Sequence, residues 1–335
     1  MALWERVIEV RPECKEAHRN LAIFYANKKK DIATALKFME AAWQLDNNDA
    51  RVLYELDDLR KIALVDPKVR LTLLEPHQHV IMQRDDLVTE FITLLNICHE
   101  HDRALAILKE RTFAPWEGGE GRVTGQYVNA LIRKAQSLMK DQDYAMAKQA
   151  LIEALEFPLN LNEGRLVGQT DNDIYYLLGL IERKLGQEEA SQRMFQRALA
   201  GDSVVTESRY YNDMPADYLL FQALAAYQLG DTKRATDTFR DMTAWVQAHE
   251  SQQVEHDFFA VSLPQLNVFD RDIQKNHRTH CQFVDLLAKL GLAQIEDHLL
   301  DEVNVARQTL LGSDPSHAKA HLLSDLTSVS LTELA

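Results

Sequence analysis

The amino-acid sequence predicts an all-α protein made of repeated helix–turn–helix units. Glycine and proline are scarce, at 12 and 8 of 335 residues, and the stretches between them are rich in residues that favour helices, such as Ala, Leu, Glu and Lys. A second observation is a motif that recurs at a nearly constant spacing. A third is a glycine at the end of two amphipathic segments. Together these observations predict an array of helix pairs.

The recurring motif places a small residue, a large apolar residue and a third residue at positions i, i+4 and i+7. These positions share one face of a helix, and a small residue there lets a neighbouring helix come close. The last four copies begin 43, 44 and 44 residues apart. The five copies are Ala35/Met39/Ala42, Ala104/Leu108/Arg111, Ala147/Leu151/Ala154, Ser191/Phe195/Ala198 and Ala235/Phe239/Met242. The motif therefore predicts the packing face of the second helix in each pair.

Amphipathic segments upstream of the motif predict the first helix of each pair. Two examples are YYLLGLIERKLG at 175–186 and LLFQALAAYQLG at 219–230, which Gly186 and Gly230 are predicted to end. The first segment of the chain, LWERVIEVRP at 3–12, has the pattern of a second helix without its partner. We expect a further segment or a docked domain to cover its open face.

Two similar stretches, EGRVTGQ at 120–126 and EGRLVGQ at 163–169, lie between predicted pairs. Each follows a proline and contains glycines, so both are predicted to be shaped connections. A glycine-rich loop with an arginine can also hold a phosphate ahead of a helix, but neither copy has the GxxxxGK[ST] pattern or follows a strand. We interpret them as interrepeat turns, with Arg122 and Arg165 as candidate contacts for a partner or ligand.

The segment APWEGGEG at 114–121 carries a candidate carbohydrate contact. Trp116 lies beside Glu117 and Glu120, so its ring can stack on a sugar while the carboxylates accept hydrogen bonds from the sugar hydroxyls. The alternative is that Trp116 anchors its loop on the helices as the one large apolar residue. The sequence leaves both interpretations open.

The polar aromatic loop RYYNDMP at 209–215 interrupts the helical pattern and leads into a helix predicted to start near Pro215. If a sugar site exists, this loop is a second candidate to face it. The loop then contributes Tyr210, Tyr211 and Asp213 as candidate binding residues.

The apolar stretch DFFAVSLPQLNVF at 257–269 is predicted to lie packed across the repeats, because an exposed apolar segment of this length is unfavourable. Asp213, Asp257 and Arg278 are candidates for an ion-pair network around it, or for an acid–base site. Nothing in their spacing selects one of these two roles.

NHRTHC at 276–281 is the best candidate for a metal site. His277 and Cys281 have the i, i+4 spacing that presents two ligands on one face of a helix, and His280 lies beside Cys281. The alternative, which we favour, is a hydrogen-bonded packing histidine. We predict no metal and no other cofactor.

Charge and cysteine usage narrow the function classes. A formal net charge of −14 argues against a nucleic-acid partner, and the basic run at 28–30 is interpreted as a solvated helix end. Cys14, Cys98 and Cys281 are scattered without CxxC spacing, so no disulfide framework is predicted. Since we also find no apolar stretch of membrane-spanning length and no signal-peptide pattern, we expect a cytoplasmic protein without a membrane partner.

The repeat resembles the tetratricopeptide repeat at specific residues, namely Leu178 with Gly179, Ala198, and Ala235 with Phe239. The usual period of that repeat is about 34 residues, so periods of 43 and 44 imply about ten extra residues per unit. The resemblance implies tetratricopeptide-like helix–turn–helix repeats stacked into a right-handed superhelical solenoid, with extended interrepeat loops.

Six stretches in order resemble one bacterial family, whose members have an N-terminal domain of unknown function with a galactose-mutarotase-like fold and a C-terminal tetratricopeptide array. The stretches are RDDL at 84–87, PWEGGEG at 115–121, NEGR at 162–165, YYNDMP at 210–215, FFAVSLP at 258–264 and NHRTHC at 276–281. The resemblance covers the array only and implies a carbohydrate-related setting. It carries over no catalytic residue.

We therefore expect one solenoid over residues 1–335. Its parts are an orphan helix at 1–12, degenerate repeats at 13–112, three long-period repeats at 113–250, and an extended segment plus C-terminal helix pairs at 251–335. The expected function is a non-enzymatic scaffold that binds a peptide, a protein or its own N-terminal domain. The alternative is an array that contributes residues to a carbohydrate-binding or carbohydrate-active site. A peptide sensor in a gene regulator would need a DNA-binding segment, and none is visible.

Overall fold

The computed structural model describes residues 2–166, 168–207, 213–255, 267–296 and 299–328. These residues form helices joined by turns and loops, without a β-strand among them. The α-helices are α1 Ala2–Val10, α2 Lys15–Phe24, α3 Ile32–Leu45, α4 Ala50–Ile62, α5 Pro67–Leu74, α6 Gln78–Ile81, α7 Asp85–Ile97, α8 His101–Glu110, α9 Arg122–Lys140, α10 Tyr144–Glu153, α11 Asn172–Lys184, α12 Glu188–Ala198, α13 Ala216–Gln228, α14 Thr232–His249, α15 Ile273–Ile295, α16 Leu300–Ser313 and α17 Ala318–Ser328. Helices adjacent in sequence pack on each other, which confirms the predicted all-α solenoid.

Four helix pairs, α7/α8, α9/α10, α11/α12 and α13/α14, make up the periodic part of the chain. The second helices of these pairs begin at His101, Tyr144, Glu188 and Thr232, which are 43, 44 and 44 residues apart. Each second helix packs on the first helix of its own pair and on the first helix that follows. The motif positions predicted to face these neighbours are fully buried at Ala104, Leu108, Ala147, Leu151, Ala154, Ser191, Phe195, Ala198, Ala235 and Phe239.

Two glycines let phenylalanine rings of the second helices approach a helix backbone. A Cβ added at Gly179 would lie 2.5 Å from the ring of Phe195, and one added at Gly291 would lie 2.1 Å from the ring of Phe239. Ser191 Oγ also donates a hydrogen bond to the Gly179 carbonyl oxygen at 2.8 Å. Packing therefore explains why position 179 has the glycine on which the resemblance to the tetratricopeptide repeat rests, since any larger residue would overlap the ring of Phe195.

The turn inside each periodic pair contains one residue in the left-handed region. His99, Gln142, Gly186 and Gly230 have φ of 65°, 61°, 73° and 89°, again at steps of 43, 44 and 44 residues. Gly186 and Gly230 follow the last turns of α11 and α13, so the predicted helix ends are confirmed. Glycine adopts this conformation without a steric penalty, whereas His99 and Gln142 adopt it only at a steric cost.

Replacing Gln142 with glycine is expected to raise the free energy of unfolding by about 1 kcal/mol. The side chain is exposed, and the left-handed backbone conformation is strained for a residue that has a Cβ atom. Urea denaturation measures the change. The matched variant Gly186→Ala is expected to lower the same quantity by a similar amount, since its added Cβ meets no atom within 4 Å and only the backbone conformation is affected. An unchanged midpoint in both variants would contradict the strain at these turns.

The N-terminal part of the array is less regular. A π-helical turn, Tyr25–Lys29, extends α2, and the basic run at 28–30 is exposed as predicted. Residues 65–83 form only short pieces, α5, a 3₁₀ turn at Glu75–His77 and α6. Ahead of these repeats, α1 packs on α2 and leaves Leu3 and Val10 exposed.

Residues 267–271, here called the clasp, return to the N-terminal repeats from the far end of the array. Phe269 of the clasp is buried among apolar side chains of α2, α3 and α4. Asn27 Nδ2 donates to the Val268 carbonyl oxygen at 2.9 Å, and the Asp270 amide donates to Asn27 Oδ1 at 3.0 Å. The apolar stretch was predicted to pack across the repeats, and its part at 267–269 does so, while 257–266 lies outside the described ranges.

The C-terminal region consists of three helices, α15, α16 and α17, within the described residues. α15 packs on α13 and α14, and α16 packs on α15, which continues the stack. α17 leaves the stack and lies against α7 and α9. Within the described ranges, every helix is too short or too polar to span a lipid bilayer.

Candidate functional site

The loop that carries Trp116 is held in place by the connection that precedes α11. The Phe113 amide donates to the Asn160 carbonyl oxygen at 2.9 Å, and Asn162 Nδ2 donates to the Phe113 carbonyl oxygen at 2.5 Å. Asn160 Nδ2 also donates to the carbonyl oxygen of Leu108 at the end of α8. Side-chain amides thus satisfy backbone groups that have no helical partner, and they fix the loop against the second helix.

Trp116 forms part of the wall of a cavity of about 280 Å³. The half-buried indole lies on Gly119, where an added Cβ would come within 2.2 Å of the ring, so a larger residue there would displace it. The volume lies close to the lower end of the range for small-molecule sites, about 300 Å³. Lining groups with relevant chemistry include Tyr54, Asp58, Asp86, Glu117, Arg122 and Arg271.

Salt bridges within this cavity join the arginines to carboxylates. Arg271 Nη2 lies 2.8 and 2.7 Å from the two carboxylate oxygens of Asp58, and Arg84 donates to both oxygens of Asp86 at 3.0 and 2.5 Å. Burial and the nearby Asp58 raise the pKa of the Tyr54 hydroxyl, so this group stays protonated at neutral pH. The wall therefore combines aromatic rings with hydrogen-bond donors and acceptors, and salt bridges pair Arg271 with Asp58 and Arg84 with Asp86.

The first EGR copy begins a helix, which corrects the prediction of a loop over its whole length. Gly121 has φ of 71° and Arg122 is the first residue of α9, so the rest of that copy is helical. Glu163 of the second copy supplies the helix cap: its carboxylate accepts hydrogen bonds from the Gly121 amide at 2.9 Å and from Thr124 Oγ1 at 3.1 Å. A carboxylate is favourable at this end of a helix. The two copies therefore touch each other but are not equivalent loops.

Arg122 and Arg165 lie in different environments. Arg122 lines the Trp116 cavity and places Nη2 3.4 Å from Glu90 Oε2. Arg165 instead closes its own loop, since it pairs with Asp171 and donates to the Leu155 carbonyl oxygen at 2.7 Å. Of these two arginines, Arg122 lines this cavity and Arg165 does not.

Behind the cavity lies a buried ion network that the sequence did not reveal. Fully buried Arg70 lies 2.5 Å from Asp57 Oδ2 and 2.8 Å from Glu90 Oε1, and Lys61 Nζ lies 2.9 Å from the same Glu90 oxygen. Burial opposes ionisation of Glu90, but the surrounding cations outweigh it and lower the pKa of this carboxyl. The network joins α4, α5 and α7, helices that show no common period in sequence.

The C-terminal segment 316–323 lies in a groove made by the first helices of successive pairs, α7, α9, α11 and α13, together with α15. We call this face the inner groove. At the start of the segment, Ser316 Oγ accepts a hydrogen bond from Arg70 Nη1 at 2.8 Å, and the His317 ring lies 4.6 Å from that of Phe283 on α15. α17 then runs against α7 and α9. The segment therefore spans helices from one end of the periodic array to the other.

Lys319 is the ionic contact of this segment with the groove. Its Nζ lies 2.9 Å from Asp217 Oδ2 and 3.7 Å from Asp173 Oδ2, and both carboxylates are buried. Asp173 and Asp217 are each the second residue of a first helix, 44 residues apart, so the repeat spacing itself was the signal that could have singled them out. Lys319 lies outside the repeats and has no such signal.

Asp173 is expected to make stability depend on pH. Burial raises its pKa to about 6, against the lowering effect of Lys319, from an ordinary value of 3.8. The folded state then holds the proton more tightly than the unfolded state, so stability falls as pH rises from about 4 to 6. Asp173→Asn is expected to be more stable than the wild type by about 1–3 kcal/mol at pH 8, and equal to it near pH 4, in urea denaturation. A less stable variant at pH 8 would contradict this.

The histidines of NHRTHC contact backbone carbonyls. His277 Nε2 lies 2.8 Å from the His249 carbonyl oxygen and His280 Nε2 lies 2.8 Å from the Thr206 carbonyl oxygen, while Cys281 Sγ is 3.8 Å from His277. Across the described part of the chain, no group of three or more His, Cys, Asp or Glu could hold a metal ion. The contacts are those of packing histidines.

The remaining sequence candidates lie at different places. Glu117 and Glu120 are exposed, and of the two only Glu117 lines the cavity. Asp213 is half-buried ahead of α13, and Arg278 is exposed on α15. The other three candidates, Tyr210, Tyr211 and Asp257, lie outside the described residues.

Comparison with protein families gives a match in the middle of the array. Residues 173–200 match the family model of the tetratricopeptide repeat. This range covers α11, which carries Asp173, and α12, whose Phe195 packs on Gly179. The pair α11/α12 is therefore a tetratricopeptide-type unit, and the chain is an α-solenoid that contains it.

Proposed function

We propose that this chain is a non-enzymatic scaffold that binds a protein partner through the inner groove. Stacked helix pairs present a long preformed face, and such faces suit the recognition of a helical or extended segment. The observation that carries the proposal is the position of segment 316–323, because the groove already holds a helix through buried leucines and a lysine paired with two carboxylates.

The proposed partner is a galactose-mutarotase-like domain, and the proposed location of the complex is the cytoplasm. The resemblance of six sequence stretches to arrays that follow such a domain supports this choice of partner. The absence of CxxC spacing among the scattered Cys14, Cys98 and Cys281 supports the location.

A mutarotase-like domain, produced as a separate protein, is expected to bind the full chain in isothermal titration calorimetry. Hydrogen exchange of the complex should then slow in the first helices α11 and α13, which line the inner groove, more than in the second helices α10 and α12. An unrelated β-sandwich domain serves as the control and should not bind. Binding that slows exchange only in the second helices, or no binding at all, would contradict the proposal.

A second candidate function is carbohydrate binding at the Trp116 cavity. The observation that favours it is that Trp116, Glu117 and Arg122, chosen from the sequence as candidate contacts, line one cavity together with Tyr54. Aromatic rings cover the apolar faces of a sugar, while paired arginines and carboxylates offer hydrogen bonds to its hydroxyls without a net charge. The cavity volume suits a monosaccharide unit rather than a long chain.

Tryptophan fluorescence tests this second candidate. Neutral mono- and oligosaccharides at millimolar concentration are expected to change the emission of the wild-type chain. Trp116→Phe should abolish the response, whereas the matched variant Trp43→Phe, which changes another half-buried tryptophan, should keep it. A wild-type chain that does not respond to any sugar would rule out carbohydrate binding by this cavity.

A further inference from the structure

The side chains of α17 that the structure describes, at residues 318–324, include few that attach it to the inner groove. Ala320, Leu322 and Leu323 are the buried apolar residues of this part, and Lys319 adds the ion pairs to Asp173 and Asp217. By comparison, the periodic second helices are buried along a whole face and on two neighbours. Another helix that offers the same groups can therefore compete with α17 for this site.

One buried polar side chain of α9 has no hydrogen-bond partner among the described residues. Gln136 lies on α9, one of the helices against which α17 packs. The Gln136 side chain is buried, and neither its amide nitrogen nor its oxygen has a hydrogen-bond partner among the described residues. A buried amide without partners is unfavourable, so a ligand that bonds to it gains an interaction that α17 lacks.

We propose, in an inference that rests on the proposed function, that α17 occupies the site where a helix of the partner binds. The partner then enters the inner groove by displacing α17. The contacts of α17 define the chemistry of that partner helix. It carries a basic residue that reaches Asp173 and Asp217, a small residue directly after it, and leucines three and four positions later, as in KAHLL at 319–323. The basic residue of such a helix matches the two buried carboxylates Asp173 and Asp217.

The experiment uses the full chain and a fluorescein-labelled peptide of residues 314–328, DPSHAKAHLLSDLTS, as the probe. Fluorescence anisotropy measures peptide binding to the wild type and to Lys319→Glu, in which like charges oppose the docking of α17. The variant is expected to bind the peptide at least about tenfold more tightly than the wild type, because its groove is open. A peptide with the same Lys319→Glu change should lose binding to both chains.

Hydrogen exchange of α17 separates the possible outcomes. Faster exchange of α17 in Lys319→Glu, and in the wild type after peptide addition, supports displacement. Equal affinity of the peptide for both chains would overturn the displacement of α17 while leaving the groove as a helix-binding site. Fast exchange of α17 in the variant without peptide binding would instead overturn the proposed function. Slow exchange of α17 in the variant would make α17 a permanent part of the fold and overturn the inference.

Discussion

Replacement of Arg70 by alanine is expected to lower the free energy of unfolding by about 3–5 kcal/mol, measured by urea denaturation followed by circular dichroism. Arg70 is fully buried and lies between Asp57 and Glu90, which are buried as well. Removal of the guanidinium leaves the buried Asp57 without its cation and close to Glu90, which keeps Lys61 and Arg122. The cost comes mainly from the unpaired Asp57 and not from the loss of the pair's own attraction.

Two variants test that explanation. The double replacement Asp57→Leu with Arg70→Met is expected to recover most of the lost stability, because apolar residues of similar size do not require a counter-charge and Glu90 keeps Lys61. Arg193→Ala on the exposed face of α12, where the salt bridge to Glu189 spans 3.8 Å, is the control and should change stability by less than about 0.5 kcal/mol. An Arg70→Ala loss no larger than the Arg193→Ala loss would contradict the role of the network.

Replacement of Gly291 by alanine is expected to lower the free energy of unfolding by about 1–3 kcal/mol, although alanine favours helices more than glycine does. The added Cβ would lie 2.1 Å from the ring of Phe239, which is fully buried and cannot move without displacing its neighbours. Thermal and urea denaturation should both report the loss.

Gly312 provides the matched control for this change. It lies in α16, and a Cβ added there meets nothing within 4 Å, so Gly312→Ala is expected to stabilise the chain by about 0.5–1 kcal/mol. The double variant Gly291→Ala with Phe239→Leu should be less destabilised than the sum of its single changes, because the smaller side chain makes room for the methyl group. Additive effects would mean that the contact between Gly291 and Phe239 is not the cause.

The regular part of the fold was predictable because its signals are local. The small residue at Ala147 or Ser191 and the large one at Leu151 or Phe195 fix which side of a helix is buried, and that depends on spacing along one helix. The turn at Gly186 likewise depends on the left-handed backbone conformation of that one residue. Such features need no knowledge of distant residues, so the pattern was sufficient to place the second helices.

The irregular features depend on contacts between distant residues. α9 begins at Arg122, where Glu163, some forty residues later, caps its first turn, whereas the described residues of the second copy, 163–166 and 168–169, are not helical. Lys319 finds Asp173 and Asp217 only once the array is stacked. In the candidate site, Trp116 and Arg122 were predictable from one motif, while Tyr54 and Asp58 come from a helix far upstream.

The clasp has a consequence for how the chain folds. In an open repeat array each unit touches only its neighbours, so folding can start anywhere and spread. Here Asn27 bonds to Val268 across 241 residues, and Arg70 bonds to Ser316 across 246. Contacts this distant in sequence must wait until the intervening helices are in place, which slows folding and couples both ends in one cooperative unit. The N-terminal repeats are therefore expected to become fully stable only after residues 267–271 have docked on them.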